Sequence, residues 1–198
     1  PPTNNTVDTE LATLVYTSGT TGEPKGIMSA HRSVRAAIQS ITSYLGNKPE
    51  DIILNLLPLS FDYGLYQALM TVAFGGTLVL EKGFGYPHSV AERVKQERVT
   101  GFPIVPTIAT LLLKMHGLRK NQFESLRYIS STGDVFPVPV IRKLRALLPD
   151  VSIFSMYGLT ECKRASYLPP DQLDKRPDSV GIPIPNEEVF VVDENDKE

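Results

Sequence analysis

The chain has 198 residues, 41% of them hydrophobic, which is enough for one substantial domain with a core and excludes a disordered polymer. Its net charge of −2, with both signs interspersed, lacks the basic excess that a nucleic-acid partner demands. The single cysteine, Cys162, closes no internal disulfide and suits a reducing, cytoplasmic compartment. No apolar run reaches the about 18 residues of a membrane span, and the first residues, Pro-Pro-Thr-Asn-Asn-Thr, carry no signal-peptide pattern.

Residues 1–10 read as a linker or cut end. Residues 11–16, Leu-Ala-Thr-Leu-Val-Tyr, predict a buried strand. The strand runs into Thr17, Ser18, Gly19, Thr20, Thr21 and Gly22, followed by Glu-Pro and then Lys25 and Gly26. Such a loop offers an anion backbone N–H groups, hydroxyl donors and one cation, while its glycines let the chain approach a ligand closely. That is a cradle for a polyphosphate, although the G-x-x-x-x-G-K-[ST] order of the Walker loop is absent. A plain flexible loop of Gly, Ser and Thr has the same composition.

Beyond it, Val34, Ala37, Ile38, Ile41 and Leu45 fall at helical spacing over 29–45, and Gly46 is placed to stop that helix. Residues 51–57 predict a strand, 63–74 an apolar helix ending at Gly75-Gly76, 77–80 a strand and 89–99 a helix with a mixed-charge outer face. A strand over 101–105 leads to a helix over 106–116 that opens on proline. A strand over 126–130, a helix over 139–148, and strands over 151–155 and 187–192 complete the series. This alternation predicts an α/β fold, a mostly parallel sheet with helices on both faces. Ligands of such sheets lie beyond the carboxyl ends of the strands. Thr17, Ser60, Ser131 and Tyr157 each follow a predicted strand, so their segments are expected to converge on one edge of the sheet.

Residues 17–26 resemble the phosphate loop of the adenylate-forming superfamily, which holds acyl-CoA synthetases, peptide-synthetase adenylation domains and luciferases. The likeness is closest to the AMP-forming acyl-CoA synthetases. A second stretch, Ser155-Met-Tyr-Gly-Leu-Thr-Glu161, resembles that family's [N/S]-x-Y-G-x-T-E segment. In that reading Tyr157 stacks on adenine, Gly158 leaves room for substrate, Thr160 donates to the α-phosphate and Glu161 is the Mg²⁺ ligand. The plainer alternative is a Tyr-Gly turn after a strand, with Glu161 capping a helix. Thr132, Gly133 and Asp134 stand where the family has a Gly-Gly-Glu-like loop beside adenine. Thr132 and Asp134 depart from that pattern, and an ordinary strand-to-helix loop explains them equally well.

Phe61 stands at the family's aromatic gate, and Phe61-Asp62 matches the pair with which amino-acid-activating relatives meet an ammonium. Asp62 also suits the N-cap of the following helix. With Tyr63, Tyr66, Ser131 and Met156, these two residues outline the expected substrate pocket. His31, His88 and His116 have no metal spacing and read as structural, with His116 ending a helix. Cys162 reads as non-catalytic.

The resemblance implies an enzyme that joins a carboxylic acid to ATP, releases pyrophosphate and passes the acyl group to the thiol of CoA or of a phosphopantetheine carrier protein. Thr17, Ser18, Thr20, Thr21 and Lys25 would hold the β- and γ-phosphates, with Lys25, Thr160 and Glu161 as the catalytic set. The first expectation for the acid is a medium or long aliphatic chain, and the second is an amino acid. A non-catalytic nucleotide-binding module is the reading from another class. Residues 11–198 are expected to be a truncated AMP-binding subdomain, because neither the family's ribose-binding Asp nor its C-terminal Lys has a match here. The chain alone should therefore turn over little substrate, and faces left uncovered by truncation should favour a dimer.

Overall fold

A computed structural model describes residues 6–17 and 23–197. Its main sheet has seven strands in the order β4-β3-β5-β6-β7-β8-β9. The first five are β3 (Ile52–Asn55), β4 (Thr77–Leu80), β5 (Gly101–Ile104), β6 (Tyr128–Ser131) and β7 (Ser152–Tyr157). They pair in parallel, as the alternating pattern predicts. β5 and β6 are buried along their whole length, as strands covered on both faces must be. Helices α1 (His31–Leu45), α2 (Asp62–Phe74), α3 (Pro87–Gln96), α4 (Pro106–Leu113) and α5 (Val138–Leu147) flank the sheet, with α1 packed on α2 and α4 on α5. Gly46 and Gly75 end α1 and α2 in left-handed backbone, at φ 61° and 76°, which glycine adopts without penalty. No helix among the described residues is long and apolar enough to cross a membrane.

Several expectations are corrected. The strand at 11–16 exists as β1 (Leu11–Thr17), but it is not buried in the sheet. It pairs antiparallel with β2 (Lys25–Ala30) as a separate hairpin, and Leu11, Leu14 and Tyr16 are exposed. Lys25 therefore begins a strand opposite Thr17, and the helix expected from residue 29 begins at His31. The strand expected at 187–192 is absent, since Val189, Phe190, Val191 and Val192 lie exposed and form no ladder. The sheet instead closes with two short antiparallel strands, β8 (Ser166–Leu168) and β9 (Ile182–Pro183). The fourth helix stops at Leu113, which leaves His116 in the turn beyond it.

The amino ends of the strands are tied by one buried carboxylate. Asp51, just before β3, accepts bonds from Arg127 Nε (2.9 Å) and Nη2 (2.6 Å), from the Thr100 hydroxyl (2.8 Å) and from the Lys48 amide (3.0 Å). Burial opposes its charge, but these donors outweigh it and hold the Asp51 carboxyl below the usual range. Thr100 and Arg127 precede β5 and β6, so the group fixes three strands at one end.

Replacing Arg127 by Ala should lower stability by about 2–3 kcal/mol, because Asp51 has no exposed side-chain surface and loses its cation. A carboxyl held low in the folded state stabilises above its unfolded value of about 3.9, and that contribution is lost as pH falls through the folded value. In urea melts across the acid range, the gap between wild type and variant should narrow below about pH 4. A gap independent of pH would show that Asp51 is not the partner at stake.

Candidate active site

The carboxyl end of β7 turns sharply. After Tyr157 the chain loops through residues 158–164 and returns as β8, with Ala165 N–H donating to the Tyr157 carbonyl (2.9 Å). The Lys163 amide donates to the Leu159 carbonyl (2.7 Å), and Lys163 takes a left-handed φ of 66°. Gly158 makes the loop possible, because a Cβ there would overlap the Lys163 carbonyl oxygen. The turn thus presents Gly158, Thr160 and Glu161 outward and folds Lys163 and Arg164 in.

It forms one wall of a cleft of about 440 Å³. The β1–β2 hairpin brings Thr17 and Lys25 to it, the segment entering α2 brings Phe61, Asp62 and Tyr63, and the loop after β6 brings Thr132 and Gly133. Thr17, Lys25, Thr160 and Glu161 therefore meet in one space. Ser18, Gly19, Thr20, Thr21 and Gly22 lie outside the described residues. Among the described residues no group of three His, Cys, Asp or Glu side chains sits together to hold a metal unaided. Mg²⁺ needs no such group, because one carboxylate suffices when phosphates and waters complete its shell, and Glu161 at the mouth of the cleft suits that part.

Asp62 stands one residue inside the N-cap of α2, and its carboxylate takes the Tyr63 amide of the first turn. Phe61 occupies the cap position without a side-chain bond, and Asp62 is the first helical residue. It is buried in the cleft wall, and burial lifts its carboxyl above the usual range against the pull of the Arg164 and Lys163 cations. Tyr63 is pinned by its hydroxyl, 2.9 Å from both the carbonyl and the hydroxyl oxygen of Ser130. Tyr66 and Ser131, both expected in the pocket, are buried behind it and line neither this cleft nor its neighbour.

Sequence reasoning missed Lys163 and Arg164. Each lines the cleft and is almost completely buried, at 5% and 3% exposure. The Arg164 guanidinium stacks 4.4 Å over the Tyr63 ring and donates to the Lys163 carbonyl. Lys163 Nζ bonds the Thr160 carbonyl and stands 5.7 Å over the Tyr66 ring. Burial pushes the Lys163 ammonium below its usual value, with Asp62 resisting. The one signal available was two adjacent cations directly after the Thr160-Glu161-Cys162 run, just before a buried strand.

A second cavity, of about 340 Å³, adjoins the first across Gly133 and Gly158. Tyr157 and Met156 line it, with Asp134 and Val135 on one side and Ser179 and Val180 on the other. Tyr157 shows 47% of its surface, so its ring is available for stacking. One Asp134 oxygen accepts the Val135 amide (2.7 Å), as an ordinary loop carboxylate does.

The profile of the AMP-binding enzyme family matches residues 1–198. The chain belongs to that family. It is 31% identical to the L-proline–[L-prolyl-carrier protein] ligase of Streptomyces coelicolor, over 93% of this chain and 36% of that protein. It is 32% identical to the mitochondrial malonate–CoA ligase of Homo sapiens, over 93% of this chain and 34% of that protein. Among solved structures, the o-succinylbenzoate CoA synthetase of Bacillus subtilis in complex with its acyl-adenylate intermediate superposes with a TM-score of 0.86 at 29% identity, covering 97% of this chain and 38% of that one. This AMP-binding chain thus spans about a third of the length of those two curated relatives.

Gly158→Ala should distort the turn and displace Thr160 and Glu161. Thermal melts should show a loss of about 1–3 kcal/mol, as expected for overpacking. An alanine variant as stable as wild type would contradict the close approach at Gly158.

Proposed function

We propose that the protein carrying this sequence activates a carboxylic acid with ATP, releasing pyrophosphate, and transfers the acyl group to a thiol of CoA or of a carrier protein. The observation that carries this reading is the convergence of Thr17, Lys25, Thr160 and Glu161 on one cleft at the carboxyl ends of the strands. A carboxylate oxygen attacks the α-phosphorus, and the bond from that phosphorus to the pyrophosphate oxygen breaks. Negative charge gathers on the phosphoryl oxygens, and preorganised donors and cations stabilise it.

In this reading Thr17 and Lys25, with Ser18–Gly22, hold the β- and γ-phosphates. Thr160 donates to an α-phosphate oxygen. Glu161 would hold Mg²⁺, which neutralises phosphate charge when bound. Tyr157 offers its ring to adenine in the second cavity, beside Thr132, Gly133 and Asp134. Phe61 and Tyr63 close the acid side of the cleft.

A second reading has a specific observation behind it. Asp62 is buried in the cleft wall at the first turn of α2, where its carboxylate takes the Tyr63 amide and still faces the cleft, so it can meet a substrate ammonium. An amino acid is then the acid activated. In either case the charged lining made by Asp62, Lys163 and Arg164 favours a polar acid over the long aliphatic one that the motifs alone suggested.

Acid-dependent ATP–pyrophosphate exchange tests the proposal. The intact protein should exchange label only with its acid and Mg²⁺ present. Lys25→Ala and Glu161→Gln should each lower the rate by about a hundredfold. Tight ATP binding without exchange for any carboxylic acid would instead indicate a non-catalytic nucleotide-binding module.

A further inference from the structure

Asp62, Lys163 and Arg164 form a buried charge set in the wall of the cleft. None of the ion pairs among the described residues involves any of the three. The exposed Glu161 carboxylate lines the same cleft, but Lys163 and Arg164 are held in its wall, where little water reaches them. Arg164 is the least satisfied. A guanidinium has five N–H donors, yet among the described residues this one gives a bond only to the neighbouring Lys163 carbonyl, and its buried Nε has no partner there. Leaving a buried charge in that state is costly unless a ligand completes it.

The group is also held still. Tyr63 is fixed by Ser130, and the guanidinium carbon sits 4.4 Å over the centre of the Tyr63 ring. A planar, oriented fork of donors matches a carboxylate, which accepts two parallel N–H bonds. Thr160 and Arg164 belong to the same closed turn, tied by the amide of Lys163 on the carbonyl of Leu159. An acid whose reacting end lies at Thr160 while another group reaches Arg164 must therefore be short.

We propose that Arg164, with Lys163 beside it, receives a second carboxylate on the acid being activated, so that the substrate is a short dicarboxylic acid, aminated or not. This rests on reading the cleft as an acid-activating site. The first carboxylate makes the new bond to phosphorus as pyrophosphate leaves. The second makes and breaks no bond, keeps its charge and fixes which acid fits. Arg164 is in this sense a specificity residue. An amino group on the substrate faces Asp62, so that carboxylate separates the two kinds of dicarboxylic acid.

The test is pyrophosphate exchange by the intact protein with malonate, succinate and L-aspartate, set against propionate, butyrate and L-alanine. At least one dicarboxylic acid should exceed its monocarboxylic counterpart in kcat/KM by about a hundredfold or more. Arg164→Gln should raise KM for that acid at least about tenfold and leave KM for ATP unchanged, and Arg164→Lys should recover part of the loss. If L-aspartate leads, Asp62→Asn should also weaken its binding; if malonate or succinate leads, Asp62→Asn should leave binding intact or improve it. Equal or faster exchange with the monocarboxylic acids overturns the proposal while leaving acid activation standing. So does an Arg164→Gln variant that slows every acid and weakens ATP alike, because Arg164 then only braces the turn. Exchange with no acid at all overturns the activation reading and this proposal with it.

Discussion

Parallel pairing of β4, β3, β5, β6 and β7 is the constraint on which the rest depends. It sends every carboxyl end to one edge and every amino end to the other. The two edges have taken opposite characters. At the amino ends the Asp51 carboxylate is saturated by Arg127, Thr100, Asn47 and the Lys48 amide. At the carboxyl ends the chain leaves donors and charges open, around a cleft and an adjoining cavity.

The contrast between two buried arginine–aspartate neighbourhoods makes the point in energetic terms. Arg127 and Asp51 form a two-bonded ion pair that holds the carboxyl in its charged form. Arg164 and Asp62 share a wall without pairing, and burial raises the carboxyl instead. A buried charge with its partner in place is a structural group. A buried charge without one carries a desolvation cost that no partner offsets. The stacking of Arg164 on Tyr63 keeps that group oriented at modest cost, which is how binding energy is preserved for substrate.

The fold was largely legible in the sequence where periodicity is strong. The core strands and the glycine stops of α1 and α2 stand within a few residues of their expected places. β8 and β9 were not legible, because strands of three and two residues are too short to show alternation. The 187–192 stretch misled for the opposite reason: Val-Phe-Val-Val has strand composition, but no neighbour pairs with it. β2 was hidden because Lys25 and Gly26 read as the end of a loop, and only the partner strand β1 makes them a ladder. At the site, Thr17, Lys25, Thr160 and Glu161 were readable from their motifs, and the structure brings them to one cleft. Lys163 and Arg164 were not, because adjacent cations ordinarily mark a solvated surface. Only the tight turn at Gly158 puts them inside.

The central claim is spatial: the hairpin residues Thr17 and Lys25 and the turn residues Thr160 and Glu161 hold one triphosphate between them. A crystal structure of the protein with Mg²⁺ and a non-hydrolysable ATP analogue tests it most directly. The account predicts the phosphates between Lys25 and the Thr160–Glu161 pair, with adenine in the neighbouring cavity against Tyr157. A nucleotide bound at the amino ends of the strands, or phosphates lying away from Lys25 and Thr160, would contradict it.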